Sequence, residues 1–215
     1  MHRNFGLTPI KKHNIWHGKA DNLIFYEFRG QPCIRSKPQD MAPPSSPGQV
    51  AQQERVAAVA IFYKSLRDAG LYAFWQKAAE GMVQTGYNLL LQKNIRAFNG
   101  DGCICDFSKL QMTPDLLPLP DLLSMRVGEE GEAVVEWSNS TPYPGAKEED
   151  RLAIALMRKD TDVFDLIIPD IGICRRRDER AVFRVADNSF SYGNIYIFFI
   201  AEDGERCSLG VWFHL

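Results

Sequence analysis

Charge of one sign is not in excess in these 215 residues: 25 lysines and arginines stand against 27 aspartates and glutamates, a net charge of −2. Such a chain has no global field with which to gather nucleic acid or an anionic membrane, so neither is expected as a partner. Long apolar runs are missing as well. Nothing approaches the roughly 20 consecutive apolar residues of a membrane span, and none is predicted. The first twenty residues hold Arg3, Lys11, Lys12 and three histidines without an apolar run of seven. No secretory signal is therefore expected there, and the chain reads as cytoplasmic, with atypical export or association with a particle as the alternative. Cysteine is sparse and odd in number: Cys33, Cys103, Cys105, Cys174 and Cys207 are scattered instead of framed. Reduced, buried thiols are the expectation.

Motifs of catalysis are missing too. There is no His-Glu-x-x-His, Gly-x-Ser-x-Gly or phosphate-loop pattern. Gly100-Asp101-Gly102 begins like a dinucleotide fingerprint but lacks the third glycine and ends a helix instead of opening one, so it reads as a turn. Cys103-x-Cys105 places two thiols on one side of an extended segment, yet a structural zinc needs four ligands, and half-buried core cysteines are the expectation. His13 and His17 read as solvated, and Arg175-Arg176-Arg177 as a charged hairpin loop neutralised by Asp178 and Glu179. Asp160, Asp162 and Asp165 lack the glycine and terminal glutamate of a calcium loop. No cofactor, metal or catalytic residue is assigned, and an enzyme is not expected. A set assembled from scattered side chains, such as His17 with Cys33, stays open.

What is present falls into three zones. Residues 23–28 and 33–36 read as a β-hairpin around a turn at 29–31. Pro38, Pro43, Pro44 and Pro47 then make an extended strap over 35–45, expected to lie against the helices or the sandwich. Ser46-Pro47-Gly48-Gln49 carries a hydroxyl cap, proline at the first helical position and a capping-box glutamine. A helix over 47–69 is predicted, ending at Gly70. A second helix over 71–98 has an apolar stripe containing Trp75, Met82, Tyr87, Leu90 and Phe98, interrupted by Gly81 and Gly86, where a backbone approaches closely or the helix bends. The two form an antiparallel helical hairpin. From about residue 113 the period changes from 3.6 to 2. Strands are predicted over 122–127, 133–138, 152–156, 163–168, 182–186, 195–200 and 206–213, with Asp203-Gly204 as the last turn and 195–200, apolar on both faces, as a central strand.

Trp137 on the second of these strands, a tyrosine on the sixth and the closing Asp-Gly hairpin resemble a fibronectin type III-like β-sandwich, an Ig-like architecture in which Trp137 is a core anchor. The fold class is α+β: an N-terminal β-hairpin and antiparallel helical hairpin in 1–112, then the fibronectin type III-like sandwich in 113–215. Gly18-Lys19, Gly30, Ile34-Arg35-Ser36-Lys37-Pro38, Pro44-Ser45-Ser46-Pro47-Gly48-Gln49, Tyr87-Asn88 and Glu202-Asp203-Gly204 resemble an uncharacterised family of bacterial proteins. That family combines an Arg-Ser-Lys-Pro strap, a helical hairpin and a terminal fibronectin- or Ig-like domain. Ser46, Gly48, Asp21 and Gln53 depart from its usual residues. The resemblance implies no reaction. It suggests a non-enzymatic structural or protein-interaction protein, prophage-like or part of a surface assembly, that meets a protein partner or associates with itself through the helical layer. A glycan-binding protein with Trp16, Trp212 or Tyr143 as stacking surfaces is the alternative, and a hydrolase with a deep polar pocket between helices and sandwich the third reading. Arg35, Lys37, Trp75 and Trp212 are the expected binding residues.

Overall fold

Two tight turns make the N-terminal segment a three-stranded meander instead of the expected hairpin. Strands β1 (Gly18–Ala20), β2 (Leu23–Phe28) and β3 (Gln31–Ser36) pair antiparallel in that order. Asp21 takes φ 52° at the first turn and Gly30 φ 76° at the second. Aspartate tolerates this left-handed conformation better than most residues, and glycine adopts it without strain. At three residues, β1 is too short for a period of two to announce it. The Lys37 amide closes the meander by donating to the Asn22 carbonyl at 2.6 Å.

The structure is a computed structural model that describes residues 18–28, 30–37, 46–128, 131–139, 144–158, 164, 166–184 and 192–214. It divides into two compact units, Met1–Ser45 and Ser46–Leu215. Residues 38–45 of the strap lie outside the described residues, as do His13, Trp16, His17, Tyr143, Asp160, Asp162 and Asp165.

The second unit opens as its capping residues predict. Helix α1 (Pro47–Asp68) begins with a reciprocal capping box in which the Gln49 amide donates to Ser46 Oγ and the Ser46 amide to Gln49 Oε1, each at 3.2 Å. It ends at Gly70, φ 77°, where Gly70 N donates to Arg67 O and Leu71 N to Leu66 O. This double bond pattern satisfies two orphan carbonyls, and Leu66 and Leu71 are both buried beside it.

The expected 28-residue helix is two helices. Helix α2 (Tyr72–Ala78) stops, Gly81 turns with φ 74°, and α3 (Gly86–Asn94) starts afresh on the Thr85 hydroxyl, which accepts from Asn88 N at 3.2 Å. Gly81 makes the break and Gly86 the close approach: a Cβ at Gly86 would sit 2.8 Å from the Trp75 carbonyl oxygen. Tyr63 of α1 meets Tyr72 of α2 and Tyr87 of α3 edge-on, with centroids 4.6 and 5.3 Å away.

Among the described residues, seven antiparallel strands follow, in two sheets. β4 (Asp121–Val127), β5 (Glu132–Ser138) and β8 (Arg180–Arg184) form one in the order β4-β5-β8. β6 (Arg151–Arg158), β7 (Leu166–Ile167), β9 (Tyr192–Ile200) and β10 (Val211–His214) form the other in the order β10-β9-β6-β7. The last strand is shorter than expected because Cys207 and Ser208 bridge to Ile200 and Leu117 before β10 begins.

Alternation assigns the layers. Leu152, Ile154, Leu156, Ile195, Ile197 and Phe199 of the four-stranded sheet pack with Ala133, Val135, Trp137, Ala181 and Phe183 of the three-stranded one. The intervening Ala155, Met157, Tyr196 and Phe198 pack with Phe62, Leu66, Trp75, Leu90 and Phe98 of the helical segment. The four-stranded sheet is thus buried on both faces, which is why β9 carries no polar alternation. Two alanines, Ala153 and Ala155, on the helix-facing side of β6 leave room for the large rings.

The boundary expected at 112/113 therefore falls inside one core. The chain at 111–113 is stitched across the layers. Asn94 gives its Nδ2 to the Leu90 and Gln111 carbonyls and takes Gln111 N at 2.7 Å, Trp75 Nε1 donates to Met112 O at 3.0 Å, and Thr113 Oγ1 to Ser208 O at 2.8 Å. Chain outside regular structure leaves its backbone groups free for such bonds.

Candidate interaction surface

The two binding residues expected from the strap lie at the end of a sheet that buries none of its own side chains. Every residue of β1, β2 and β3 is half-buried or exposed. Register assigns Leu23, Phe25, Pro32 and Ile34 to one face and Ile24, Tyr26, Phe28 and Cys33 to the other. Both faces are therefore apolar, and Ile34 is 63% and Leu23 43% exposed. Arg35, exposed on β3, holds its guanidinium 5.7 Å from the Tyr26 ring centroid, a cation–π contact. Lys37 is exposed at the exit of the sheet.

Trp75 does not belong to any surface. It is 1% exposed in the helix-side core, with its indole N–H spent on Met112 O. The apolar stripe that called for an outside neighbour is covered by the chain's own four-stranded sheet. Of the stripe, Met82 stays exposed in the turn between α2 and α3, beside Val83, and Tyr87 is half-buried. Trp212 on β10 is half-buried: its Nε1 donates to Asn194 Oδ1 at 3.0 Å and its ring stacks on His214 at 6.0 Å.

The arginine triplet is split by depth. Arg175 and Arg177 both pair with Glu149 at the surface. Arg176 is buried, with Nη1 on Pro118 O at 2.8 Å, Nε on Asn139 Oδ1 at 3.2 Å, and the buried Asp150 carboxylate 3.7 Å away. Its guanidinium lies 5.3 Å from the Phe199 ring centroid, and its carbonyl accepts from Trp137 Nε1 and Asn139 Nδ2. Asp150 also takes the amides of Lys147 and Glu202. The charge pair thus knots together five segments at the edge of the core between the two sheets, and the neutralising carboxylates are Glu149 and Asp150, not the expected Asp178 and Glu179. Asp178 instead caps the Arg175 amide at 2.7 Å.

Cysteine burial also differs from expectation. Cys207 is buried and Cys174 half-buried, and desolvation pushes both thiols up, Cys174 to about 11. Cys103 and Cys105 are exposed. Burial likewise raises Tyr196, whose hydroxyl donates to Phe107 O at 2.8 Å, while Lys109 and Ser108 hold the Asp106 carboxyl down at about 2.

Open depressions among the described residues of the second unit include the following pair. One, of 460 Å³, lies between Ser65, Asp68, Phe164 and Leu166; the other, of 380 Å³, between Gln52, Arg55, Arg96 and Phe98. No helix among the described residues is long and apolar enough to cross a membrane.

No family model, curated protein or solved structure matches this chain.

Proposed function

We propose that the protein is a non-enzymatic structural or interaction protein in which the N-terminal sheet is the element that meets a partner, a second copy of the chain being the partner we favour. One observation carries this reading: a three-stranded sheet with apolar residues on both faces and none of its strand residues buried. So small a sheet gains stability only when a hydrophobic face is covered. Pro32 and Arg35 on the outer strand β3 blunt that edge against strand addition, so the faces and not the edge make the contact. The same patch on each copy gives a self-complementary contact that closes as a dimer.

The second unit fits the role of a rigid carrier. We read its β-part as a fibronectin type III-like sandwich, on the strength of the orders β4-β5-β8 and β10-β9-β6-β7, Trp137 on the second strand and Tyr196 on the sixth. The resemblance to the bacterial family with an Arg-Ser-Lys-Pro strap is part of the same reading and adds no chemistry. The hydrolase alternative asks for a deep polar pocket between helices and sandwich. That junction is filled by Phe62, Trp75, Tyr196 and Phe198.

Sedimentation velocity on the full chain at micromolar concentration tests the proposal. The chain should sediment as an oligomer, and the double variant Leu23→Asp/Ile34→Asp as a monomer with an unchanged melting curve for the second unit. A monomer in both cases would overturn self-association through this sheet.

A further inference from the structure

We propose that Cys103 and Cys105 form a two-thiolate clamp for a soft, thiophilic metal cation of the copper(I) class. The segment 97–105 folds back on itself as a short hairpin. Phe98 and Ile104 form an antiparallel bridge, Asn99 N donates to Cys103 O at 2.9 Å, and Cys105 N to Ala97 O at 2.8 Å. Alternation along the returning arm decides where the thiols go. Ile104 packs with Phe98 on the helix-side core. Cys103 and Cys105, one residue to either side, share the opposite face, and both are exposed. Cysteine is among the most buried residue types, so two exposed on one face within three residues call for a chemical explanation.

The arm is held before any ligand arrives. Asn99 Oδ1 accepts from Asp101 N at 3.0 Å and Cys103 N at 2.9 Å, which fixes the turn. Gly102, with φ 78°, seats the tip on α1, where an added Cβ would lie 3.3 Å from Glu54 O. Cys105 Sγ donates to Ala97 O at 3.3 Å and so has a defined position.

Spacing selects the ligand. Residues two apart on an extended arm have Cα atoms roughly 6.6 Å apart. That is the far limit of disulfide geometry, whose Cβ atoms want to be about 3.8 Å apart. A metal between the sulfurs, bonded to each at about 2.3 Å as in a zinc thiolate, lengthens the bridge toward the available span. Among the described residues no third His, Cys, Asp or Glu joins the pair. The site therefore offers two soft donors, the set that favours a thiophilic monovalent cation over one requiring four ligands. On binding, each thiol releases one proton and forms one sulfur–metal bond, leaving a complex of net charge −1. The Lys109 ammonium, within electrostatic reach of Cys105 and already paired with Asp106 at 2.7 Å, offsets part of that charge.

Anaerobic titration of the full chain with copper(I), in competition with a chromophoric copper(I) chelator, is the test. One copper per chain should be withheld from the chelator, with release of two protons. Cys103→Ser and Cys105→Ser should each weaken binding roughly tenfold or more, because loss of one donor removes the chelate. Cys174→Ser should bind as the parent does, and the exposed positions of Cys103 and Cys105 leave the melting curve of their variants unchanged. Copper bound equally well after Cys103→Ser, or none withheld from the chelator by the parent chain, would overturn the assignment.

Discussion

Trp137 joins packing and polarity in one side chain: its ring meets Phe199 edge-on at 5.3 Å while its Nε1 donates to Arg176 O at 2.7 Å. Trp137→Ala should cost about 3–5 kcal/mol, the range for large aromatic deletions in cores, as read by urea denaturation. A loss under about 1 kcal/mol would mean the ring is not anchoring the sandwich. Asp106 gives a pH signature of opposite character. Its carboxyl ionises more readily in the folded chain, at about 2 against an ordinary 3.8, first through the Lys109 contact and then through Ser108. Its contribution is complete above the ordinary value and is lost as pH falls toward the folded one. Carbon NMR of the carboxyl should show a midpoint near the lower figure, and Lys109→Ala should move it upward; a midpoint at the ordinary value would remove the ion pair from the account. At this scale Trp137 was legible because a bulky ring in an alternating strand has one good place to go. Arg176 was not. Its burial depends on Pro118, Asn139 and Asp150, none of them its neighbours in sequence, and local charge density pointed to solvent. Trp75 was read correctly as part of an apolar stripe but wrongly as surface, since the sheet that covers it comes about 80 or more residues later.

The elements differ in how much of their stop and start information is local. Ser46, Gln49 and Gly70 announce the ends of α1 completely, because caps act within one turn. The break between α2 and α3 was masked by an apolar period that continues across it. The overlooked signal was Thr85, a hydroxyl cap immediately before Gly86. Gly86→Ala separates the two roles of that glycine. Helix propensity alone would make alanine stabilising by about 1 kcal/mol. The added Cβ would instead meet backbone at 2.8 Å from Trp75 O and 2.9 Å from Gln76 N, neither of which is a flexible side-chain end. Net destabilisation of about 1–3 kcal/mol is expected from chemical denaturation, as for other overpacked sites. An increase in stability would show that α2 and α3 do not touch there. Six of the seven strands lie near their expected positions, β5, β6 and β8 legible from alternation and β9 from an apolar run on both faces, and β7 survives as the pair Leu166–Ile167. The exposure of Cys103 and Cys105 was not legible, because it is set by the inward packing of Ile104 and not by the cysteines.

At the scale of the molecule, the second unit is layered as helices, a doubly covered four-stranded sheet and a three-stranded sheet, and one continuous stitching segment makes it a single body. The change of period at about residue 113 suggests a boundary between helices and strands. A change of period marks a change of element and not of core, and here the core runs across it. The N-terminal meander belongs to the other compact unit and has apolar residues on both faces. That small sheet, apolar on both faces and with none of its strand residues buried, is the basis of the proposed role. Amide hydrogen exchange measured on dilute and on concentrated protein tests it most directly. The account predicts that protection of the amides of β2 and β3 rises with concentration while amides of β6 and β9 stay unchanged. Protection in β2 and β3 that is the same at every concentration would contradict it.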